Sequence, residues 1–217
     1  TIDIVYTHNT IGAERNVSSG TLSVEDLSSI VQVFESAVAS GKLQYWGFNG
    51  LGQTDSVKEA LRRYSPSGIH TCYNMLNPTS GYGLPKTFPY QNYEELMTLA
   101  SEDGIGTVGI RILAGGALSG SLDRHPIAQQ NVAPIATSST FREDVSRTPV
   151  FEVLVKEGFV NNLVEASVRF AISNDNLDTA LIGLSNFDQL KQAVDYANKG
   201  SLPQEALDKI KEIWAVS

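Results

Sequence analysis

The chain has 217 residues, and 24 acids against 16 bases give it a net charge of −8. Its 41% hydrophobic content is that of an ordinary globular protein with apolar material for one sizeable core, here read as a single domain over residues 1–217. The acidic balance argues against a nucleic-acid partner, which would need a basic face, and no run of about 18 apolar residues is present to span a membrane. The single cysteine, Cys72, excludes an internal disulfide and points to a reducing, cytoplasmic compartment. No basic segment followed by an apolar stretch opens the chain, so no signal peptide is expected. Thr1 leads straight into a strand-like run, an odd place for a natural domain to begin.

Ile2-Asp3-Ile4-Val5-Tyr6 is β-branched and aromatic and reads as a buried strand ending at Thr7-His8-Asn9. Residues 9–23 are polar and read as loop. Ser23 is placed to cap a helix from about Val24 to Ser40, with Asp26 completing a loose capping box and Gly41 ending it. Leu43 to Phe48 is the next strand, followed by the turn Asn49-Gly50-Leu51-Gly52. Thr54 or Asp55 starts a short helix that runs to about Tyr64. Gly68 to Tyr73 is a strand, 74–90 a long loop, and Asn92–Glu102 a helix. Thr107 to Leu113 is a strand that opens into the glycine-rich stretch Ala114–Gly120, and 121–145 is a second long loop. Helices are expected near Pro149–Glu157 and Asn161–Ser173, a strand at Thr179–Ile182, and helices near Phe187–Asn198 and Pro203–Val216.

Five strands alternating with helices imply an α/β protein with a parallel sheet, because parallel neighbours need long crossovers. Two architectures fit, the open doubly wound sheet and the (β/α)8 barrel. Both gather functional groups at the carboxyl ends of strands. His8, Asn49, Asn74, Arg111 with Gly115 and Gly116, and Gly183 with Ser185 fall there. No G-x-G-x-x-G follows the first strand, which weakens a Rossmann reading. Arg111 stands in an otherwise apolar strand, and a cation buried there needs an anion, either a carboxylate or a phosphate. The stretch Leu113–Gly120 lets backbone N–H groups approach a phosphate, and also suits an ordinary turn. Ser185 can cap the helix that follows it. Asn49 can close an Asx-turn, His70 can be a satisfied strand histidine, and Cys72 reads as a small core residue. The three histidines and one cysteine have no metal-ligand spacing, so no metal is expected. An unrelated α/β enzyme using His8 with Asp3 or His125 as acid–base groups is a rival, but no G-x-S-x-G elbow supports a hydrolase.

Several segments together resemble the aldo/keto reductase superfamily, in particular a bacterial and fungal branch of NAD(P)-dependent oxidoreductases. They are GKLQYWGFNGLG (41–52), YNMLNP (73–78), GIGTVGIRILAGGALSG (104–120), RHPIA (124–128) and ALIGLSNFDQL (180–190). The ordered set covers nearly the whole chain. The resemblance implies a partial (β/α)8 TIM barrel whose strands correspond to the fourth to eighth of the family's barrel, the first three lying upstream. It implies hydride transfer between NADP or NAD and an aldehyde, a ketone or a sugar-like alcohol. Of the family's catalytic Asp, Tyr, Lys and His, it leaves only the histidine in this chain, at His8, with the other three upstream of residue 1.

The same resemblance assigns cofactor contacts. Asn49 and His70 would read the nicotinamide carboxamide, and Ile110 stands where an aromatic commonly covers the nicotinamide ring. Arg111, Leu113, Gly115 and Gly116 would meet the pyrophosphate, and Gly183, Ser185 and Gln189 the adenine-ribose end. Gly183 stands where some relatives place a lysine for the 2′-phosphate, and Gln192 and Ala193 where relatives hold adenine. NADP and NAD both remain open. The loop around Arg124-His125-Pro126 could fold over the cofactor, and Tyr82, Phe88 and Tyr90 could form a substrate-facing wall. The alternative is a truncated or split, catalytically incomplete chain that binds cofactor or a partner, with a second chain supplying the missing barrel strands.

Overall fold

A computed structural model of the protein describes residues 1–85 and 87–215. Its strands are β1 (Ile2–Tyr6), β2 (Thr10–Gly12), β3 (Thr21–Ser23), β4 (Leu43–Asn49), β5 (Gly68–Cys72), β6 (Gly106–Ile110) and β7 (Thr179–Ala180). Five of them form one parallel sheet in the order β1-β4-β5-β6-β7, so every main strand lies beside its successor. The sheet curls into a half-barrel with helices on its outer side. The α-helices are α1 (Leu27–Ala39), α2 (Thr54–Tyr64), α3 (Leu96–Glu102), α4 (Phe141–Arg147), α5 (Val153–Lys156), α6 (Leu163–Ala171), α7 (Phe187–Ala197) and α8 (Gln204–Ala215). Val216, the expected end of the last helix, lies outside the described residues.

Several boundaries differ from the sequence reading. The expected loop 9–23 contains β2 and β3, a separate two-stranded parallel ladder pairing Ile11 with Leu22. Ser23 and Asp26 make the reciprocal contacts of a capping box: Ser23 N–H donates to Asp26 Oδ2 (2.9 Å) and Asp26 N–H to Ser23 Oγ (3.2 Å). The α-helix nevertheless starts only at Leu27, after a turn. The expected helix Asn92–Glu102 starts at Leu96, because Glu94 and Glu95 have positive φ. The stretch Pro149–Glu157 is a 3-10 turn, Thr148–Glu152, that runs into α5. β6 stops at Ile110, three residues before the expected end, and β7 has only two residues.

Side-chain alternation divides the sheet. Trp46, Phe48 and Ile69 point outward and bury against Leu27, Val57, Leu61 and Leu96 of the helices. Burial of that kind stabilises by about 1.5–3 kcal/mol for each large side chain. A second core joins the later strands to the C-terminal helices through Tyr73, Phe170 and Trp214. Tyr73 stacks on Phe170 at 4.9 Å, and Trp214 Nε1–H donates to Met75 O (2.8 Å). Cys72 is fully buried and free, and burial pushes its thiol up to about 12.

The inner face of the early strands is open. Tyr45 of β4 is 56% exposed and Ile2 of β1 57%. Tyr6 lies across this face, its ring stacked on His70 at 4.1 Å. A Cβ at Gly47 would stand 2.4 Å from the Tyr6 ring, and one at Gly68 2.4 Å from its hydroxyl, so only glycine admits that ring. At the other end of the sheet α7 has no buried residue, and Phe187 is 76% exposed. Among the described residues no helix is long and apolar enough to cross a membrane, and no group of three His, Cys, Asp or Glu could hold a metal ion.

Candidate functional site

The main chain turns sharply where β6 ends. Arg111 has φ +60°, Ala114 +48°, Gly115 +68° and Gly116 +104°. For Arg111 and Ala114 the left-handed conformation costs about 1–3 kcal/mol each, and such strain persists only where surroundings hold it. Asn74 Nδ2–H (3.0 Å) and the Ala114 N–H (2.7 Å) both donate to Arg111 O and do so here. Arg111 thus leaves the strand line and its side chain enters a cleft of about 660 Å³.

Seven of the eleven residues assigned to the site meet at this cleft: Arg111, Leu113, Gly115 and Gly116 from beyond β6, and Gly183, Ser185 and Gln189 from beyond β7. Arg124, His125, Gln192 and Ala193 line it as well. Among the described residues the Arg111 guanidinium has no carboxylate partner, whereas Arg124 is committed. Arg124 Nη1–H donates to Gly115 O (2.8 Å), its Nε–H donates to Gln129 O (2.7 Å), and its guanidinium lies over the Phe141 ring at 4.9 Å. These contacts pin the loop after residue 120 to the glycine turn, so that His125 and Val132 line the cleft. A Cβ at Gly115 would stand 2.8 Å from Val132 Cγ1 and 2.9 Å from Arg111 Nη1, and one at Gly116 3.1 Å from Arg124 Nη1. Two glycines let both guanidiniums lie against this turn.

α7 lines the cleft with Gln189, Gln192 and Ala193. Its cap is Asn186, whose Oδ1 accepts from the Gln189 N–H (2.9 Å), and not Ser185, because the helix starts one residue later than that role requires. Ser185 instead donates its N–H to Gln189 Oε1 (2.7 Å). α6 supplies the cleft residues Val164 and Val168. Between them Glu165 is buried and accepts from Arg169 Nη1 (3.1 Å), Lys199 Nζ (2.8 Å) and Asn161 Nδ2 (2.8 Å). Desolvation pulls its carboxyl upward, but the hydrogen bonds from Lys199, Asn161 and Arg169 outweigh it and hold the pKa below the ordinary range. With Asn162 Nδ2–H donating to Tyr196 Oη (2.8 Å), this cluster ties α6 to α7, two walls of the cleft. The sequence reading missed Glu165. Its signal was present in Asn162-x-x-Glu165, a capping pattern, with Arg169 one turn on.

The remaining four candidates, His8, Asn49, His70 and Ile110, do not line the cleft. His8 follows the end of β1, Asn49 and Ile110 end β4 and β6, and His70 lies in the middle of β5. His8 is exposed. Asn49 is buried; its Nδ2–H donates to His8 O (2.9 Å) and its Oδ1 accepts from the Leu51 N–H (3.2 Å), so the Asx-turn forms. It pairs in register with His70, whose ring is half-buried against Tyr6. Desolvation, then the neighbouring His8, lowers the His70 pKa, favouring a neutral imidazole that can donate one hydrogen bond and accept another.

Comparison with known proteins follows the same outline. The family model described as "Aldo/keto reductase family" matches residues 1–215. The aldo-keto reductase AKR11C1 from Bacillus halodurans, in its holo form, superposes with a TM-score of 0.63 at 20% identity, over 98% of this chain and 60% of that one. Its apo form gives the same score and identity over 98% and 62%. This chain therefore spans about three fifths of the length of those structures. No curated protein matches by sequence.

Proposed function

The chain belongs to the aldo/keto reductase family of oxidoreductases, and on that premise we propose that it carries the family's dinucleotide site, with NAD(P)(H) as cofactor and a small carbonyl compound or sugar-like alcohol as substrate. The observation that carries this is Arg111, a strained arginine without a carboxylate partner among the described residues, set in a cleft beside Gly115 and Gly116. The site fits a pyrophosphate. A guanidinium offers planar, paired donors, and a Cβ at either glycine would crowd the arginines. The bound dinucleotide supplies the hydride chemistry.

The chain's own residues bind and orient. Arg111 neutralises phosphate charge, while Arg124 holds the loop that walls the cleft. Ser185 and Gln189 face the adenosine side. Asn49, His70 and Ile110 bound the nicotinamide side, and His8 donates a hydrogen bond to the substrate oxygen as negative charge develops there. The five strands correspond to the fourth to eighth of the family's barrel. The exposed Ile2 and Tyr45 at one edge and Phe187 of α7 beyond the other support completion by further strands, from more of the same protein or from a second chain. A second reading, a catalytically incomplete cofactor-binding chain, is favoured by the exposure of His8 above that open face.

The test is calorimetric titration of NADPH and NADH into the chain and into Arg111→Ala. A lost charged hydrogen bond should weaken the tighter complex by about 1.5–3 kcal/mol. Unchanged affinity would remove Arg111 from the site.

A further inference from the structure

Resting on the reading above that His70 bounds the nicotinamide side, we infer that Tyr6 is a positioning residue for His70: its ring forms a floor beneath the imidazole and fixes the imidazole plane. The floor is built from one row of residues across the sheet. Tyr6 of β1 pairs in register with Gly47 of β4, Gly47 with Gly68 of β5, and Gly68 with Gly106 of β6. With no side chain on the glycines, the Tyr6 ring lies over Gly47 and its hydroxyl reaches Gly68. The ring stacks on His70 with centroids 4.1 Å apart and 24° between the planes. Gly68 precedes His70 by two residues on the same face of β5, so the tyrosine covers the amino-terminal side of the imidazole and leaves the other side clear of it. Neither Gly47 nor Gly68 has a positive φ, so these positions require a missing side chain and not backbone freedom. A Cβ at Gly68 would stand 2.4 Å from Tyr6 Oη, whereas Gly106 O is 3.3 Å away. Gly68 is thus fitted to the tyrosine.

Among the described residues no other ring contact and no side-chain hydrogen bond orients His70. Asn49, its register partner, is committed to His8 O and the Leu51 N–H. A stack fixes the plane of a ring without using its nitrogens. Both nitrogens of His70 therefore stay available, one to donate and one to accept while the imidazole is neutral. The neutral form is favoured from two directions. Burial, to which the tyrosine ring contributes, lowers the His70 pKa, and His8 lowers it further. Burial also raises the pKa of the Tyr6 phenol, so the floor carries no negative charge at neutral pH that would favour an imidazolium. His8 and Tyr6 are the titratable groups that β1 presents to the imidazole. β4 and β6 present Asn49 and Val108 in the paired positions, and neither titrates. On β5 itself Cys72 stays a neutral thiol, with its pKa pushed up to about 12 by burial.

The experiment pairs an NMR pH titration of the imidazole signals of the full 217-residue chain, which has three histidines, with calorimetric titration of NADH. His70 should titrate below the ordinary histidine value of about 6.5. Tyr6→Ala should move its midpoint up toward that value and weaken NADH by about two- to tenfold, the range of one aromatic stack. Tyr6→Phe keeps the ring and should hold both quantities near those of the parent chain. Gly68→Ala puts a methyl group against the Tyr6 hydroxyl and should shift His70 as Tyr6→Ala does; adding Tyr6→Phe, which removes that hydroxyl, should return it. These two variants keep an aromatic ring at position 6, so they decide the matter even where Tyr6→Ala fails to fold. A His70 midpoint indifferent to the loss or displacement of the ring, a shift that Tyr6→Phe does not prevent, or a shift that leaves NADH affinity unchanged would overturn the inference. A parent chain that binds no NADH would overturn the dinucleotide reading, and the His70 midpoints would then decide the Tyr6 assignment by themselves.

Discussion

The two ends of the half-barrel are finished to different degrees. At the β6–β7 end a strained turn, a pinned loop and two clamped helices enclose a cleft of about 660 Å³. Its residues are preorganised by contacts within the chain: Asn74 on Arg111 O, Arg124 on Gly115 O, Lys199 and Arg169 on Glu165. At the β1–β4 end the strands bury Trp46 and Phe48 on their outer side but leave Tyr45 and Ile2 in solvent on the inner side. Under the proposed function, the contrast separates binding from chemistry. The groups assigned to hold a dinucleotide have their supporting contacts inside this chain, whereas His8 stands above an uncovered face.

Glu165 tests that contrast most severely. It is buried and bound by two cations, so Glu165→Ala leaves Arg169 on the carbonyls of Phe159, Gly200 and Ser201 and releases the part-exposed Lys199. Loss of its charged hydrogen bonds should cost about 1.5–3 kcal/mol. Urea unfolding should show that loss, and dinucleotide affinity should fall with it, because α6 and α7 are cleft walls. A stable variant with a normal cleft would mean that the two helices are held by other contacts. The same residue sets an acid limit. Its folded pKa lies below the unfolded value of about 4.3, so its contribution is complete above the unfolded value and is lost as pH falls through the folded one. Glu165→Gln should flatten that part of the stability–pH curve.

The open face should respond in the opposite manner. Its two edge strands carry no lysine or proline, the residues that usually protect an edge from pairing with another chain. We expect the chain to self-associate, measurable by light scattering. Tyr45→Ser should reduce that association while changing stability by no more than about 0.5 kcal/mol, as for an ordinary surface position. A monomeric parent chain, or a large loss of stability in the variant, would show that this face is already covered.

The same division governs what the sequence disclosed. Strand–helix alternation predicts the five-stranded parallel sheet, because burial on the outer face imposes a clear pattern on segments such as Leu43–Phe48. β2 and β3 were not legible: three residues with one apolar side chain facing inward, Ile11 or Leu22, make too short a period to read. The glycines at 115 and 116 and the arginine at 111 all line the cleft. The end of β6 did not show, because a left-handed arginine after an apolar run looks like continuing strand. Its conformation is fixed by Asn74, distant in sequence. For Glu165 the capping pattern and Arg169 one turn on were legible, but Lys199, which comes from beyond α7, was not. The Asn49 and His70 side chains could be typed from sequence, but their commitments to Leu51, His8 and Tyr6 are tertiary.

The most direct test of the central claim, a complete binding half beside an uncovered reaction face, is a single sample in which NADH is titrated into the 217-residue chain by fluorescence and an aldehyde is then added. The account predicts saturable binding with no appreciable NADH oxidation; supplying strands that carry the family's proton donor should then raise turnover by roughly 10²–10⁴-fold, the usual contribution of a positioned acid. Robust oxidation by the chain alone, or no binding at all, would contradict it.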